Sequence, residues 1–270
     1  MPELPEVEVT RRALAAALAG RAIMQVIIRV PKLRLPVSAD LAGLLPGRTL
    51  RSVERRAKYL LLFCDGGCLV IHLGMTGHLR VLYSGVEAGK HDHFELVFNS
   101  GQSLRFHDPR KFGSVFWTSN DPLMHPLLAG IGPEPLEEGF DGEFLHTLRR
   151  SRSVAIKQFI MDSTVVAGVG NIYANEALFR SGIRPSRTAM SLSLDECDAL
   201  AVAIRDVLSE SIDHGSAIMD SRVAEERPRY HNLDFRVYGR RGDCCYSCGG
   251  MLEETRLGKR STIFCPTCQR

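Results

Sequence analysis

The chain has 270 residues, of which 44% are hydrophobic and 24% charged, and its formal net charge is +3. This length predicts two domains, or one with an appendage, and the apolar content is sufficient for real cores, whereas so small a net charge does not establish a polyanionic partner. Because no apolar run is long enough to span a bilayer and the N-terminus lacks a signal-peptide pattern, we expect a soluble, cytoplasmic protein.

The chain begins with Met1-Pro2-Glu3. Removal of Met1 before the small Pro2 would expose a secondary amine, which is neutral and nucleophilic at a much lower pH than a lysine side chain. A helix is predicted from Pro5 to Leu18, and its positive end would lower the pKa of that amine further. Glu3 beside the amine is a candidate proton donor or acceptor. The alternative is a capped amphipathic helix with ordinary surface carboxylates.

Eight short runs rich in β-branched or aromatic residues follow, and turn residues separate them. We predict strands at Ala22–Val30, Thr49–Val53, Tyr59–Phe63, Cys68–Leu73, Leu79–Tyr83, Phe94–Phe98, Ser103–His107 and Ser114–Thr118. Regularly spaced short strands are typical of a β-sandwich or a barrel.

The loop His107–Gly113 joins two of these strands and carries Arg110, Lys111 and Phe112. Two cations and an aromatic ring can enter a nucleic-acid groove and wedge a base step, although Phe112 is equally well explained as the hydrophobic anchor of the turn. Met75 is interpreted as a core or loop filler. Further basic clusters point only weakly to phosphate, since most such runs are solvated faces; they are Arg55-Arg56-Ala57-Lys58 and Arg149-Arg150-Ser151-Arg152.

The pattern becomes helical after Gly132-Pro133-Glu134-Pro135, which we interpret as a linker. Helices are predicted at Phe144–Arg150, Ser153–Asp162, Asn171–Ser181 and Ser193–Ile212. A loop is predicted at Gly215–Pro228, and the two strands of a hairpin at Asp234–Gly239 and Thr262–Phe264.

Gly168-Val169-Gly170-Asn171 precedes one of these helices. Two glycines allow close approach of the backbone, Asn171 suits a helix cap, and exposed N–H groups at such a helix start bind phosphate. A simple turn between two helices is the alternative.

Four of the eight cysteines have the spacing of a metal site: Cys245-x2-Cys248, sixteen further residues, and Cys265-x2-Cys268. Paired knuckles of this kind predict a four-thiolate structural zinc site. Cys244 makes the register ambiguous, but the x2 spacing favours Cys245. The remaining cysteines lie in apolar segments and are predicted to be buried free thiols; they are Cys64, Cys68 and Cys197.

In combination, these motifs resemble those of the bacterial formamidopyrimidine-DNA glycosylases, within the formamidopyrimidine-DNA glycosylase/endonuclease VIII family, along essentially the whole chain. The start Pro2-Glu3-Leu4-Pro5-Glu6 is similar to the glycosylase branch rather than to endonuclease VIII. The other matching motifs occur in the order of the family: Arg55–Leu60, His72–Gly77, Lys90–His93, Asp108–Gly113, Val166–Ala174, Val237–Arg240 and the zinc cysteines.

The resemblance implies an α+β fold with three domains. These are a catalytic β-sandwich with a leading helix (1–132), a helix–two-turn–helix DNA-binding domain (133–235) and a zinc finger (236–270). It also implies a monomer that holds damaged double-stranded DNA across a cleft, with one structural Zn²⁺ and no catalytic metal. Such a protein belongs in the bacterial cytoplasm, on the nucleoid when bound to DNA.

The activity implied by the resemblance is base excision repair of 8-oxoguanine and formamidopyrimidines by a bifunctional glycosylase and abasic-site lyase. Pro2 would attack the anomeric carbon and form a Schiff base, with Glu3 as acid/base. Lys58 would donate the proton for β-elimination and Arg260 that for δ-elimination. The residues that match DNA-contacting positions are His72, Met75, His91, Arg110, Phe112, Arg152 and Asn171. Among them, Met75, Arg110 and Phe112 match the residues that fill the space left by the extruded base.

One stretch departs from the family, which carries Gly-Gly-Thr-Thr and a glycine-rich loop where this chain has His214–Ala217 and Glu225–His231. The extra charge and the lost glycines leave the lesion preference open. The alternatives are the same chemistry on oxidised pyrimidines or abasic sites, and a catalytically silent damage-binding protein.

Overall fold

The computed structural model describes residues 2–83, 85–220 and 234–270. The chain divides into two compact units. One contains the residues up to Ala129 and a stretch that begins at His214, and the other contains Gly130–Asp213 and the C-terminal residues up to Arg270. The finer division into three domains stays a prediction.

The first helix, α1 (Leu4–Leu18), begins one residue before the predicted start. Glu3 is its N-cap, and a capping box with Glu6 satisfies N–H groups that the first turn leaves without helical partners. The chain leaves the helix after Ala19, and Gly20 then adopts a φ of 79°. The prediction of an N-terminal helix is confirmed.

The eight predicted strands are confirmed, with ends that differ from the prediction by at most three residues. They are β1 (Ile23–Ile28), β2 (Leu50–Arg56), β3 (Tyr59–Cys64), β4 (Gly67–His72), β5 (His78–Tyr83), β6 (Asp92–Phe98), β7 (Gln102–His107) and β8 (Ser114–Thr118). They form two antiparallel sheets, ordered β1-β6-β7-β5 and β2-β3-β4-β8. A short helix that was not predicted, α2 (Leu41–Leu44), lies between β1 and β2.

The core of the N-terminal unit is shared by both sheets and by α1. Leu60 and Ile71 of the sheet β2-β3-β4-β8 belong to one continuous buried cluster with Phe94 and Phe106 of the sheet β1-β6-β7-β5. Val7 of α1 belongs to the same cluster. The unit is therefore a β-sandwich with its leading helix packed on it, as the sequence predicted.

The second unit contains the helices α3 (Gly142–Leu148), α4 (Ile156–Met161), α5 (Asn171–Arg180) and most of α6 (Leu194–Asp220). Among the described helices, none combines the length and apolar character that a bilayer crossing requires. The four helices correspond to the four predicted ones.

The end of α6 corrects the predicted loop at Gly215–Pro228. The helix continues to Asp220, so residues 215–220 are helical, and residues 221–228 lie outside the described residues. The last residue of the predicted helix, Ile212, is buried, and the next buried position is Gly215, so beyond Ile212 the buried stripe continues without an apolar signature. Adding residues to a helix that has already formed is favourable, and the helix therefore extends through this polar stretch.

The C-terminal hairpin consists of β9 (Glu253–Leu257) and β10 (Arg260–Phe264). The predicted strand at Asp234–Gly239 is wrong. The N–H groups of Arg236, Val237 and Tyr238 donate to the Glu176 carboxylate at 2.8–3.0 Å, so they make no ladder. The true partner strand, β9, is polar and largely exposed, and for that reason it lacks the alternation that marks a strand.

Candidate active site and metal centre

The N-terminal end of α1 is a buried acidic turn. Glu3 is 1% exposed and Glu6 is 6% exposed, while Pro2, directly before them, is partly exposed. The Glu3 N–H donates to Glu6 Oε2 at 2.7 Å. The carboxylates lie at the positive end of the helix, where negative charge is stabilised. Pro2 is thus fixed next to a carboxyl group that is shielded from bulk water.

Contacts between α1 and β2 establish what lies beside that helix end. Arg11 Nη1 donates to the Val53 carbonyl at 3.3 Å, and Arg55 Nε donates to Glu8 Oε2 at 3.1 Å. Glu8, which is nearer the start of α1, contacts Arg55, which is nearer the end of β2, so the two elements run antiparallel. We infer that the start of α1 and the turn that carries Lys58, which follows the last residue of β2, lie towards the same end of the two elements.

That turn is tight and strained. Arg56 and Tyr59 pair across it, so Ala57 and Lys58 alone form the loop between β2 and β3. Ala57 has a φ of 52°, a left-handed conformation that a residue with a Cβ rarely adopts. The Arg55 guanidinium donates to the Ala57 carbonyl at 3.1 Å and holds the turn to α1 through its bond to Glu8. Lys58 is therefore presented at a fixed position.

His72 lies next to Lys58, at the end of β4. Its ring is 4.7 Å from that of Tyr59, and its Nδ1 accepts a hydrogen bond from the Gly74 N–H at 3.0 Å. Burial, followed by the charges of Arg34 and Lys58, lowers the pKa of His72 to about 4. The ring is therefore neutral at pH 7, and the proton resides on Nε2, which is left to donate.

The loops His72–Gly77 and Asp108–Gly113 are joined through one buried side chain. Asp108 accepts from Thr76 Oγ1 at 2.6 Å and from the N–H groups of Arg110 and Gly113 at 3.3 and 2.8 Å. Gly74, with a φ of 68°, approaches so closely that a Cβ there would lie 2.5 Å from backbone atoms of the second loop. Only glycine fits this position.

The two loops present the predicted plug residues. Met75 is half-buried, Phe112 is 43% exposed, and the Arg110 guanidinium lies 4.7 Å from the Phe112 ring centre. An exposed aromatic ring stacked with a cation suits contact with unpaired bases. His91 is connected to these two loops, because its carbonyl accepts a hydrogen bond from the Asp108 N–H at 2.9 Å.

In the second unit, Asn171 is the first residue of α5, and Gly170 is the N-cap. This corrects the expectation that Asn171 itself is the cap. Its Oδ1 is buried and has no hydrogen-bond partner among the residues that the structure describes. A polar atom left in this way at the positive end of a ten-residue helix indicates a ligand site.

Arg260 opens β10, directly after the hairpin turn Gly258-Lys259, in which both residues have positive φ. Lys157 of α4 fixes the strand from beneath. This buried cation donates to the Ser261 carbonyl and to Thr262 Oγ1, both at 2.8 Å, and the hairpin is thereby attached to the helices.

Asn175 connects this anchor to the start of α5. Its Oδ1 accepts from Lys157 Nζ at 3.1 Å and from the Ile263 N–H at 3.3 Å, while its Nδ2 donates to the Asn171 carbonyl at 2.7 Å. Arg260 and Asn171 are thus held by one hydrogen-bond network. Arg152 lies outside this network, is 45% exposed and has Asp162 at 3.8 Å.

The four predicted zinc cysteines converge. Their sulfur atoms all lie within 4.8 Å of one another, with separations of 3.9 Å for Cys245–Cys268 and 3.5 Å for Cys248–Cys265. Metal–sulfur bonds of about 2.3 Å in a tetrahedron hold sulfurs about 3.8 Å apart, so the four residues fit a metal ion. Cys244 is exposed and is not among them, which settles the register in favour of Cys245.

The three remaining cysteines are free and buried, as predicted. Burial raises the pKa of Cys64 to about 11 and that of Cys68 to about 12, and it also raises the pKa of Cys197. These thiols are therefore protonated and inert at neutral pH.

Comparison with known proteins decides the family. Residues 1–115 match the formamidopyrimidine-DNA glycosylase N-terminal domain, and residues 131–222 match the H2TH domain of the same enzymes. The chain belongs to the formamidopyrimidine-DNA glycosylase family. The formamidopyrimidine-DNA glycosylase of Geobacter metallireducens is 59% identical over 269 residues, with both chains covered completely.

Among solved structures, the glycosylase of Lactococcus lactis in complex with DNA containing an abasic site is 32% identical, with a TM-score of 0.91 and complete coverage of both chains. The same enzyme bound to DNA containing an oxidised pyrimidine is 33% identical, also with a TM-score of 0.91 and complete coverage. The β-sandwich, helical H2TH domain and cysteine cluster of this chain thus form the fold of the formamidopyrimidine-DNA glycosylases.

The roles of four side chains that organise this glycosylase fold were not predicted from the sequence: Asp108, Lys157, Asn175 and Glu176. Three of them lie at buried positions of the helices α4 and α5. A polar residue on the buried face of an amphipathic helix is the signal that would have found them, because such a group needs a partner.

Proposed function

We propose that this family member is a bifunctional DNA glycosylase and abasic-site lyase of base excision repair. It excises oxidised purines, 8-oxoguanine and formamidopyrimidines, from duplex DNA. One observation carries the proposal: Glu3 is buried at the start of α1, and α1 runs antiparallel to β2, with Glu8 bonded to Arg55 three residues before Lys58. A nucleophile, a shielded carboxyl group and a cation are thereby collected at one end of the sandwich.

The first step forms a bond from the Pro2 nitrogen to C1′ of the damaged nucleotide while the glycosidic bond breaks. The base leaves with that electron pair and takes up a proton. Opening of the sugar ring, with Glu3 donating to the ring oxygen, gives a protonated imine on Pro2. Because a base within the stack hides its glycosidic carbon, the nucleotide must first leave the duplex. Met75 and Phe112 would fill the vacated space.

The protonated imine makes the C2′ hydrogen acidic, and its loss expels the 3′ phosphate in a β-elimination. Lys58 is the proposed proton donor for this step. A second elimination expels the 5′ phosphate, with Arg260 as the donor. The products are the free base, a strand with a gap flanked by phosphates, and the sugar fragment, which leaves Pro2 as an unsaturated aldehyde when water hydrolyses the imine. His72, His91, Arg152 and Asn171 are the proposed contacts that hold the DNA during both steps.

We further propose that the metal held by Cys245, Cys248, Cys265 and Cys268 is one structural Zn²⁺. Bound zinc would fix the fold of the ribbon. The ribbon holds the hairpin, and the hairpin carries Arg260. None of the proton transfers above passes through the cysteine cluster.

Oxidised pyrimidines are the one alternative substrate class that a specific observation favours. The Lactococcus lactis enzyme has been solved with DNA containing an oxidised pyrimidine. The segment in which this chain departs from the family, Glu225–His231, lies outside the described residues. Excision from matched duplexes that contain a single 8-oxoguanine or a single dihydrouracil separates the two substrate classes, and we expect faster release of 8-oxoguanine.

Borohydride trapping tests the chemistry. Wild-type protein mixed with an 8-oxoguanine duplex and borohydride should give a covalent protein–DNA adduct, and Pro2→Gly with a blocked amino terminus should give none. Arg51→Gln, a change at an exposed residue remote from the proposed chemistry, should trap as wild type does. Strand cleavage by wild-type protein without any adduct would refute the imine. Binding without cleavage would instead identify a silent damage-binding protein.

A further inference from the structure

The outer face of the sheet β1-β6-β7-β5 carries buried charges where an antiparallel sandwich normally meets water. Glu95 of β6 and Arg105 of β7 pair directly across the strands, and each is 2% exposed. Burial of a charge is unfavourable unless hydrogen bonds and an opposite charge compensate it. These two side chains must therefore be covered, and their terminal nitrogen and oxygen atoms must be bonded.

The segment Gly85–His91, which connects β5 to β6, provides the cover. Arg105 Nη2 donates to the Val86 carbonyl at 2.6 Å and to Glu95 Oε1 at 2.9 Å. Its Nη1 donates to the Glu87 carbonyl at 3.0 Å and lies 3.5 Å from an Asp92 carboxylate oxygen. Each terminal nitrogen thus links one carbonyl of the segment to one carboxylate of the sheet, which the planar fork of arginine permits.

The other end of the segment is fixed through Asp92. Its Oδ2 accepts the Gly89 N–H at 2.9 Å, and its Oδ1 accepts from Arg80 at 2.6 Å and lies 2.8 Å from His107 Nδ1. Burial acts to raise the pKa of Asp92, but the bonds from Gly89 and His107 and the charge of Arg80 outweigh it and lower that pKa. Asp92 therefore remains a carboxylate and keeps these bonds at neutral pH.

His91 lies between two fixed points. On one side, the backbone is held at Val86, Glu87 and Gly89; on the other, the His91 carbonyl accepts the N–H of Asp108. Removal of the Arg105 fork releases the bonds at Val86 and Glu87 and leaves the one at Gly89. The segment would then become ordered only when DNA binds, and the conformational entropy lost in ordering it would weaken binding.

We propose that Arg105 is a positioning residue for DNA binding, because it holds Gly85–His91 in the conformation in which His91 meets the DNA. This inference rests on the proposed function, which supplies the role of His91. Arg105 itself touches neither DNA nor the reacting atoms. A purely structural Arg105 would stabilise the fold and have no particular coupling to His91.

Binding to a duplex with a tetrahydrofuran abasic-site analogue, which cannot react, measures the effect. Arg105→Gln should weaken binding about tenfold, a change of about 1.4 kcal/mol. Arg105→Lys, which keeps the charge but loses the fork, should show an intermediate loss. Arg29→Gln is the matched control because Arg29 also binds the Glu95 carboxylate but makes no bond to the segment; it should bind within about twofold of wild type.

A double-mutant cycle with His91→Ala separates positioning from general stability. In the His91→Ala background, Arg105→Gln should weaken binding by less than about twofold, because the residue that it positions is already absent. A full tenfold loss in that background would overturn the inference. Amide exchange should rise in Gly85–His91 and stay unchanged in β6 and β7, and unchanged exchange in the segment would also overturn it.

If Arg105→Gln fails to fold, Arg105→Lys carries the same cycle and the same exchange measurement. If His91→Ala binds the duplex as tightly as wild type does, His91 makes no contribution that Arg105 could position. The inference is then wrong, whether or not borohydride traps an adduct. An absent wild-type adduct together with an intact Arg105–His91 coupling refutes the proposed chemistry alone.

Discussion

His72, a proposed DNA contact, adds no charge to the site at neutral pH. Its Nδ1 is occupied by the Gly74 N–H, and Arg34 and Lys58 oppose a second proton. The pKa of about 4 lies well below the ordinary value for histidine. Any contact with phosphate is therefore made by a neutral Nε2–H donor.

We predict that His72 does not titrate between pH 8 and pH 5.5. Side-chain ¹⁵N spectra should show the neutral Nε2–H tautomer throughout this range, and His72→Gln identifies the signal by its loss. A midpoint near pH 6.5 would show that the ring is solvated and free of the Gly74 bond, contrary to the structure.

The same shift has a consequence for stability. In the unfolded chain the ring takes up a proton near pH 6.5, whereas in the folded protein it does so only near pH 4. Between these values the unfolded state binds more protons, so the contribution of His72 to folding is present above about pH 6.5 and is lost as the pH falls towards 4. His72→Gln should accordingly lose less stability than wild type between pH 7.5 and pH 5 in urea unfolding.

At the scale of elements, the buried Lys157 should control the hairpin that carries Arg260. Lys157→Met leaves Thr262 Oγ1 and the Ser261 carbonyl without their donor, and an unsatisfied buried polar group costs about 1–3 kcal/mol. We expect that loss in urea unfolding, together with a product mixture shifted from δ- towards β-elimination. Arg241→Met, which removes an exposed ion pair of the same ribbon, should change stability by less than about 0.5 kcal/mol. A Lys157→Met protein with an unaltered product ratio would contradict the coupling.

Elements could be predicted from sequence wherever burial produces a regular pattern. The strand Ser114–Thr118 has the predicted bounds because apolar residues dominate it. The strand Glu253–Leu257 was missed because the zinc ribbon exposes it, and Asp234–Gly239 was wrongly assigned because Glu176, distant in sequence, takes up its N–H groups. For a side chain that acts through a tertiary partner, the sequence can show a polar residue on a buried face but does not identify the partner.

The candidate site likewise contains residues that could be predicted from the sequence and residues that could not. The spacing of the paired cysteines could predict the cysteine cluster, whereas Lys58 followed only from the family resemblance, since its basic cluster by itself points weakly to phosphate. The roles of Asp108 and Arg105 could not be predicted, because each depends on loops that only the folded sandwich brings together.

At the scale of the molecule, the metal should determine whether the second unit functions. Among the described residues, the hydrophobic cluster of the ribbon contains five buried residues, two of which belong to the cysteine cluster: Val237, Cys245, Leu252, Ile263 and Cys265. So small a core does not offset the conformational entropy of the chain without a metal. Chelation should weaken DNA binding by at least about 100-fold, and added Zn²⁺ should restore it.

Two serine substitutions make this prediction specific. Cys248→Ser should reduce bound zinc and DNA affinity together, whereas Cys244→Ser should retain both because that thiol lies outside the cluster. Full DNA affinity in protein verified to be metal-free would contradict a scaffold role for the metal.

The net charge of +3 is small for a DNA-binding protein, so affinity should depend on a few placed cations and on the apolar plug, and salt separates these contributions. Arg152→Gln removes one proposed phosphate contact and should reduce the slope of log K against log salt by about 0.9. Phe112→Ala removes a ring that is already 43% exposed in the free protein, so it should weaken binding about tenfold at every salt concentration and leave the slope unchanged. Arg51→Gln, the exposed control, should alter neither. If Arg152→Gln leaves the salt slope unchanged, Arg152 does not belong to the DNA interface. If Phe112→Ala changes the slope, the loop binds by charge, through Arg110, rather than by filling the space of the extruded base.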